Sequence, residues 1–156
     1  MKTKSLLFLL LLPFLGFAQS RWLVITEAQV LQLNGKERQY GLFDEGPRLF
    51  ERNQIPSLEP QKPFHPTYNK LYSPQDFLIP LKGKHRLDSL ILFDGAGKDS
   101  LLIYSGHPGD WKLLHSIYTN TYKSWRQFNM DVETEFLLLR FLGPQAEIGE
   151  LFLFGE

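Results

Sequence analysis

The 156-residue sequence contains no cysteine. That removes thiol nucleophiles, thiolate metal sites, haem-attachment motifs and disulfides in one step. It also has no surplus of either charge: 17 lysines and arginines stand against 17 aspartates and glutamates. Neutralising a phosphate backbone takes a basic excess, so nucleic acid is not an expected partner. No apolar run reaches the 18 or so residues needed to cross a bilayer as a helix, so the chain is not expected to span a membrane. Catalytic signatures are missing too. There is no Gly-x-Ser-x-Gly and no His-Glu-x-x-His, and the histidines at 65, 85, 107 and 115 lack zinc spacing. Asp44-Glu45 and the Asp131/Glu133 pair read as surface turns, and Asp94-Gly95-Ala96-Gly97-Lys98-Asp99 as a hairpin-type turn, not a phosphate cradle. The chain is therefore not expected to be an enzyme.

What is present begins with a leader. Lys2 and Lys4 precede an apolar stretch from Ser5 to Phe17, and Gly16 and Ala18 place small residues three and one before a cut. Residues 1–18 thus read as a secretory signal peptide, which makes the protein a secreted one, extracellular or periplasmic. Residues 19–156 read as one domain. Their aromatic and aliphatic content is too high for disorder, and a chain of this size buries a core that stands without disulfides.

The domain has two textures. Residues 34 to 75 hold Pro47, Pro56, Pro60, Pro63, Pro66 and Pro74, a density that forbids a long helix, because each proline fixes φ and removes a donor. From residue 76 onward, apolar runs of five to eight residues alternate with turn chemistry. They are Asp76–Leu81, Leu87–Phe93, Ser100–Tyr104, Trp111–Tyr118, Lys123–Met130, Glu135–Leu142 and Glu147–Phe154. Short strands at that spacing predict an antiparallel sandwich or barrel. Trp22–Ile25 and Ala28–Leu33 add one or two strands. In the last run Glu150, Phe152 and Phe154 share one face and Leu151 and Leu153 the other, so both faces of that strand are expected to be covered.

Taken in order, Leu78-Ile79-Pro80-Leu81, Leu90 to Asp94, Ile103 to Trp111, Tyr122 to Trp125, Thr134 to Leu137 and Ile148 to Gly155 follow a known pattern. It resembles the galactose-binding-like jelly roll, also called discoidin-like or coagulation-factor type C. Leu42-Phe43-Asp44-Glu45-Gly46 is similar to the family's early turn, and the closing strand is the most specific piece. The sequence departs from the pattern at Glu135, where the family often has Arg, at Phe136 and Phe154, where it often has Tyr, and in lacking the Thr-x-Trp after the early turn. The resemblance implies an all-β, antiparallel jelly-roll β-sandwich of about eight strands. It also implies a structural calcium ion held by Asp44 and Glu150, since calcium takes six to eight hard oxygens. Finally, it implies glycan recognition by loops at one end, often beside a catalytic domain in a longer secreted enzyme.

The residues supply their own candidates. Sugar sites stack a flat ring on a pyranose face and surround it with polar groups. Trp111, His107 and Asp110 lie around one turn, and Tyr122 and Arg126 around another. Each has a plainer reading: Trp111 and Trp125 as packing residues, and His107, Asp110 and Arg126 as solvated loop positions. The expected function is a non-catalytic carbohydrate-binding module. A structural or adhesive protein–protein domain is the alternative.

Overall fold

The computed structural model describes residues 21–26, 29–33, 69–70, 75–95, 97–143 and 147–156. The leader, the early turn with Asp44, and His65, Tyr68 and Tyr72 lie outside the described residues. No helix among the described residues is long and apolar enough to cross a membrane.

Among the described residues eight strands follow one another: β1 (Arg21–Leu23), β2 (Leu31–Gln32), β3 (Asn69–Lys70), β4 (Gln75–Asp94), β5 (Asp99–His107), β6 (Asp110–Thr119), β7 (Ser124–Phe141) and β8 (Glu147–Gly155). All pairings are antiparallel. The expected β-sandwich of about eight strands is the observed fold, but its layout corrects two readings. Asp76–Leu81 and Leu87–Phe93 are one strand, and so are Lys123–Met130 and Glu135–Leu142. The turn chemistry between them bends the strands without ending them. On β4, Leu81 to Lys84 are looped out between the Pro80–Phe136 and His85–Thr134 pairs, with Lys82 at φ 60° and Gly83 at φ 140°. On β7 the surplus falls at Met130 and Asp131, with Asp131 at φ 39°. Such bulges let a strand leave one sheet and continue in another.

Two layers result. The first joins β1 and β3, end to end, to β8, the second half of β4 and the first half of β7. The second runs β2, the first half of β4, the second half of β7, β5 and β6. They close on a shared core. Phe77, Ile79, Leu101, Ile103, Leu137, Leu139 and Phe141 come from the second layer; Leu87, Leu90, Leu92, Leu151 and Leu153 come from the first. Phe77 and Phe141 meet edge to face at 5.8 Å. Each such side chain contributes about 1.5–3 kcal/mol by leaving water.

The double coverage expected of β8 is borne out. Leu151 and Leu153 enter the core, while Phe152 on the opposite face is buried with Ile91 against Trp22, Trp125 and Phe154. Trp125 lies 5.1 Å from Phe93 and 5.6 Å from Phe152. It is a packing residue, as read, but on the outer side of the first layer.

Candidate functional site

The tip of the β5–β6 hairpin assembles three of the expected ligand residues. Pro108 and Gly109 are the two central residues, with Gly109 at φ 95°. Proline followed by a left-handed glycine is the requirement of a type II turn. His107 and Asp110 then face each other across the turn, Nε2 and Oδ2 3.7 Å apart, and both are exposed. Trp111 follows, half-buried, opposite Gly106. Gly106 must be glycine: its φ is 129°, and a Cβ there would lie 2.2 Å from the Asp110 carbonyl oxygen. Thr134 Oγ1 accepts the Gly106 amide at 3.0 Å and fixes the base of the hairpin.

Tyr122 and Arg126 are elsewhere. They lie past the other end of β6, roughly 30 Å away at about 3.4 Å per residue. One ligand cannot use both groups unless it spans the length of the sandwich. Tyr122 is exposed with Lys123 over its ring, 5.2 Å from the centroid. Arg126 is not a free reader. Its Nη1 donates to Asp94 Oδ2 at 2.9 Å and to the Tyr118 carbonyl at 2.8 Å, and the Thr121 amide also donates to Asp94. Arg126 thereby ties the β6–β7 connection to β4.

Of the two expected calcium ligands, Asp44 lies outside the described residues. Glu150 is wholly buried on β8. Calcium takes hard oxygens such as carboxylates, and a buried carboxylate needs partners. Glu150 has them, so it fits either reading. Among the described residues, no group of three or more His, Asp or Glu could hold a metal ion.

The strand registers reveal residues that the sequence reading passed over. On the outer face of the second layer, cross-strand pairing aligns Leu31, Leu78, Leu138, Tyr104 and Leu113 in one row over five strands. A neighbouring row aligns Pro80, Phe136, Gly106 and Trp111. Gly106, which stands between Phe136 and Trp111 in that row, brings no side chain to it. On the other side, Asp76 and Arg140 form a two-pronged pair, with both N–O distances 2.9 Å. The guanidinium also lies 5.8 Å from the Tyr104 ring centroid. The hydrogen bond that Arg140 donates to Asp76 raises the Arg140 pKa above its ordinary value, partial desolvation opposes this, and Tyr104 adds to the rise. Leu31 and Leu113, at the two flanks, are 47% and 49% exposed. The alternation of Tyr104 with Ile103 and of Arg140 with Leu139 was the available signal, but the rows themselves exist only once the register is known.

Comparison with solved structures gives the fold a relative. The family 32 carbohydrate-binding module (CBM) from C. perfringens NanJ, in complex with galactose, is similar over 87% of this chain and 99% of its own, with a TM-score of 0.55 and 11% identity. The chain shares the fold of the galactose-binding-like jelly roll. Also similar are the C-terminal domain of a chitobiase from Bacteroides fragilis (14% identity, TM-score 0.46, 53% of this chain and 64% of that one) and a fucolectin from striped bass, Morone saxatilis, serum (15% identity, TM-score 0.47, 58% and 35%). The chain spans less than two thirds of the length of these last two. No family model matches the chain. No curated protein matches it either.

Proposed function

We propose that the protein is a secreted, non-catalytic carbohydrate-binding module whose site centres on the β5–β6 hairpin tip. The observation that carries this is that Trp111 and the His107–Asp110 pair belong to one turn, the pair on one face of the hairpin and the indole on the other. An indole offers a flat apolar face to a pyranose ring, and a paired imidazole and carboxylate offer a donor and an acceptor for its hydroxyls. A short turn carried on two strands holds these groups in place, so recognition rides on a rigid scaffold. The fold shared with the C. perfringens module, which is in complex with galactose, supports the reading.

Three further parts belong to the proposal. Residues 1–18 are a signal peptide that exports the chain. A structural calcium ion is held by Asp44 and Glu150. The module works beside a catalytic domain and supplies binding while the neighbour supplies chemistry. The test is a glycan array probed with the wild-type chain and with Trp111→Ala. Signals on a sugar class that the variant loses, at an unchanged melting temperature, are expected. A blank array at high protein concentration rejects the reading.

A further inference from the structure

Gly106 stands opposite Trp111 on the β5–β6 hairpin, and it is also the last residue of β5 that pairs with β7, opposite Phe136. From His107 to Asp110 the turn has no further pair on β7 among the described residues. Thr134 lies at this point. Its backbone pairs with His85, the first rung after the looped-out residues of β4, so it sits at the corner where the two long strands change layer. The side chain is buried, and its hydroxyl accepts the Gly106 amide at 3.0 Å while it donates to the Phe136 carbonyl at 2.8 Å. A hydroxyl has one proton to give and lone pairs to receive with, so it serves both partners at once. The Gly106 carbonyl, at 3.5 Å, is the poorer of its two acceptors. The Thr134 hydroxyl thus relays the hairpin to β7 at the place where the strand pairing stops.

We infer that Thr134 is a positioning residue for the sugar site: through Gly106 it sets where the Trp111 indole stands. This rests on the proposed glycan-binding function and adds the residue that holds its aromatic group in place. The chain of contacts is short. Thr134 holds Gly106 by its amide, and Trp111 is the cross-strand partner of Gly106. Gly106 has a φ of 129° and no side chain of its own to pack the strand in place, so the hydrogen bond at its amide carries that task. A flat ring binds a pyranose only when the two faces meet squarely. A hairpin free to tilt therefore loses affinity without losing any group that touches the sugar. Valine has the shape of threonine but no hydroxyl, and it takes this acceptor away from the Gly106 amide. Serine keeps the hydroxyl and gives up only a methyl group.

The test is titration calorimetry on the sugar that gives the strongest array signal, with wild type, Thr134→Val, Thr134→Ser and Trp111→Ala, together with amide hydrogen exchange at Gly106. Thr134→Val should weaken binding by about five- to tenfold, as the loss of one hydrogen bond would. Exchange of the Gly106 amide should accelerate by about tenfold or more in the same variant. Thr134→Ser should keep both quantities within about twofold of wild type. A role in filling space alone would not give that rescue. Thr134→Val binding as tightly as wild type, or both Thr134 variants weakened alike, overturns the positioning role; the hairpin site still stands if Trp111→Ala has lost the sugar. Should Thr134→Val fail to fold, the wild type decides: the Gly106 amide should be protected, and sugar should slow its exchange further. An amide that exchanges like one in an open loop, with or without sugar, overturns the role. No sugar bound by the wild type overturns this role and the proposed function together.

Discussion

Arg126 donates a hydrogen bond to Asp94 across 2.9 Å, and the Asp94 carboxylate is wholly buried where β4 ends. The pair joins residues 32 positions apart and holds the β6–β7 connection against the sandwich. It makes Arg126 a brace between the two. Removing the guanidinium takes the charged partner from a buried carboxylate, which keeps the Thr121 amide. Arg126→Ala should therefore cost about 3 kcal/mol, at the lower end for a buried pair because Arg126 keeps some contact with water. Urea unfolding with an unchanged slope would show it, and glycan binding should persist under native conditions.

Gly106→Ala strikes the hairpin at its base. The added methyl meets the Asp110 carbonyl oxygen, and the backbone sits at a φ that L-residues avoid. Stability should fall by more than about 1 kcal/mol, and any sugar signal should fall with it, because Trp111 is the residue displaced. Hydrogen exchange is expected to accelerate in β5 and β6 more than in β8.

Trp125→Ala should separate packing from recognition. Trp125 bridges Phe93 and Phe152 on the outer side of the first layer. Its loss should cost about 3 kcal/mol through the cavity left behind, with sugar affinity at the hairpin unchanged. Thermal melts paired with calorimetric titration decide this.

The Asp76–Arg140 pair should be insensitive to moderate changes of pH on the alkaline side. Arg140 is raised in the folded chain. Its stabilising contribution is complete below its unfolded pKa and disappears only as pH climbs through the higher folded value, far into alkali. Asp76→Asn should thus lower stability by a similar small amount, about 0.5–1 kcal/mol for a partly exposed pair, at neutral and at mildly alkaline pH. Melting temperatures of both proteins across that interval test it.

Chelation tests the proposed ion. If calcium links Asp44 to Glu150, EDTA should lower the melting temperature and added calcium restore it. An unchanged melting curve removes calcium from the account.

How far the sequence could be read depended on the range of the interaction. Alternation is local, so the opposed faces of Leu151 and Phe152 were visible in it. Length was not. Lys82-Gly83-Lys84 has the chemistry of a turn, yet its neighbours on β4 keep their partners on β7 on both sides, so the bend became visible only from the pairing. The same limit explains the ligand residues. Trp111 and Tyr122 are close in sequence, but a strand of ten residues carries them to opposite ends. Asp94 looked like part of a glycine-rich turn, and nothing near it announced that Arg126 would be its partner. The outer rows of the second layer combine residues from β2, β4, β5, β6 and β7, and only the register brings Tyr104 beside Leu138 and Leu113.

Titration calorimetry on the sugar that gives the strongest array signal addresses the central claim most directly, with wild type and Trp111→Ala run side by side. The account predicts a saturable heat for the wild type and at least a tenfold loss of affinity for the variant, with superimposable melting curves. Equal affinity in the two proteins would contradict it, because the indole at the hairpin tip would then take no part in holding the sugar.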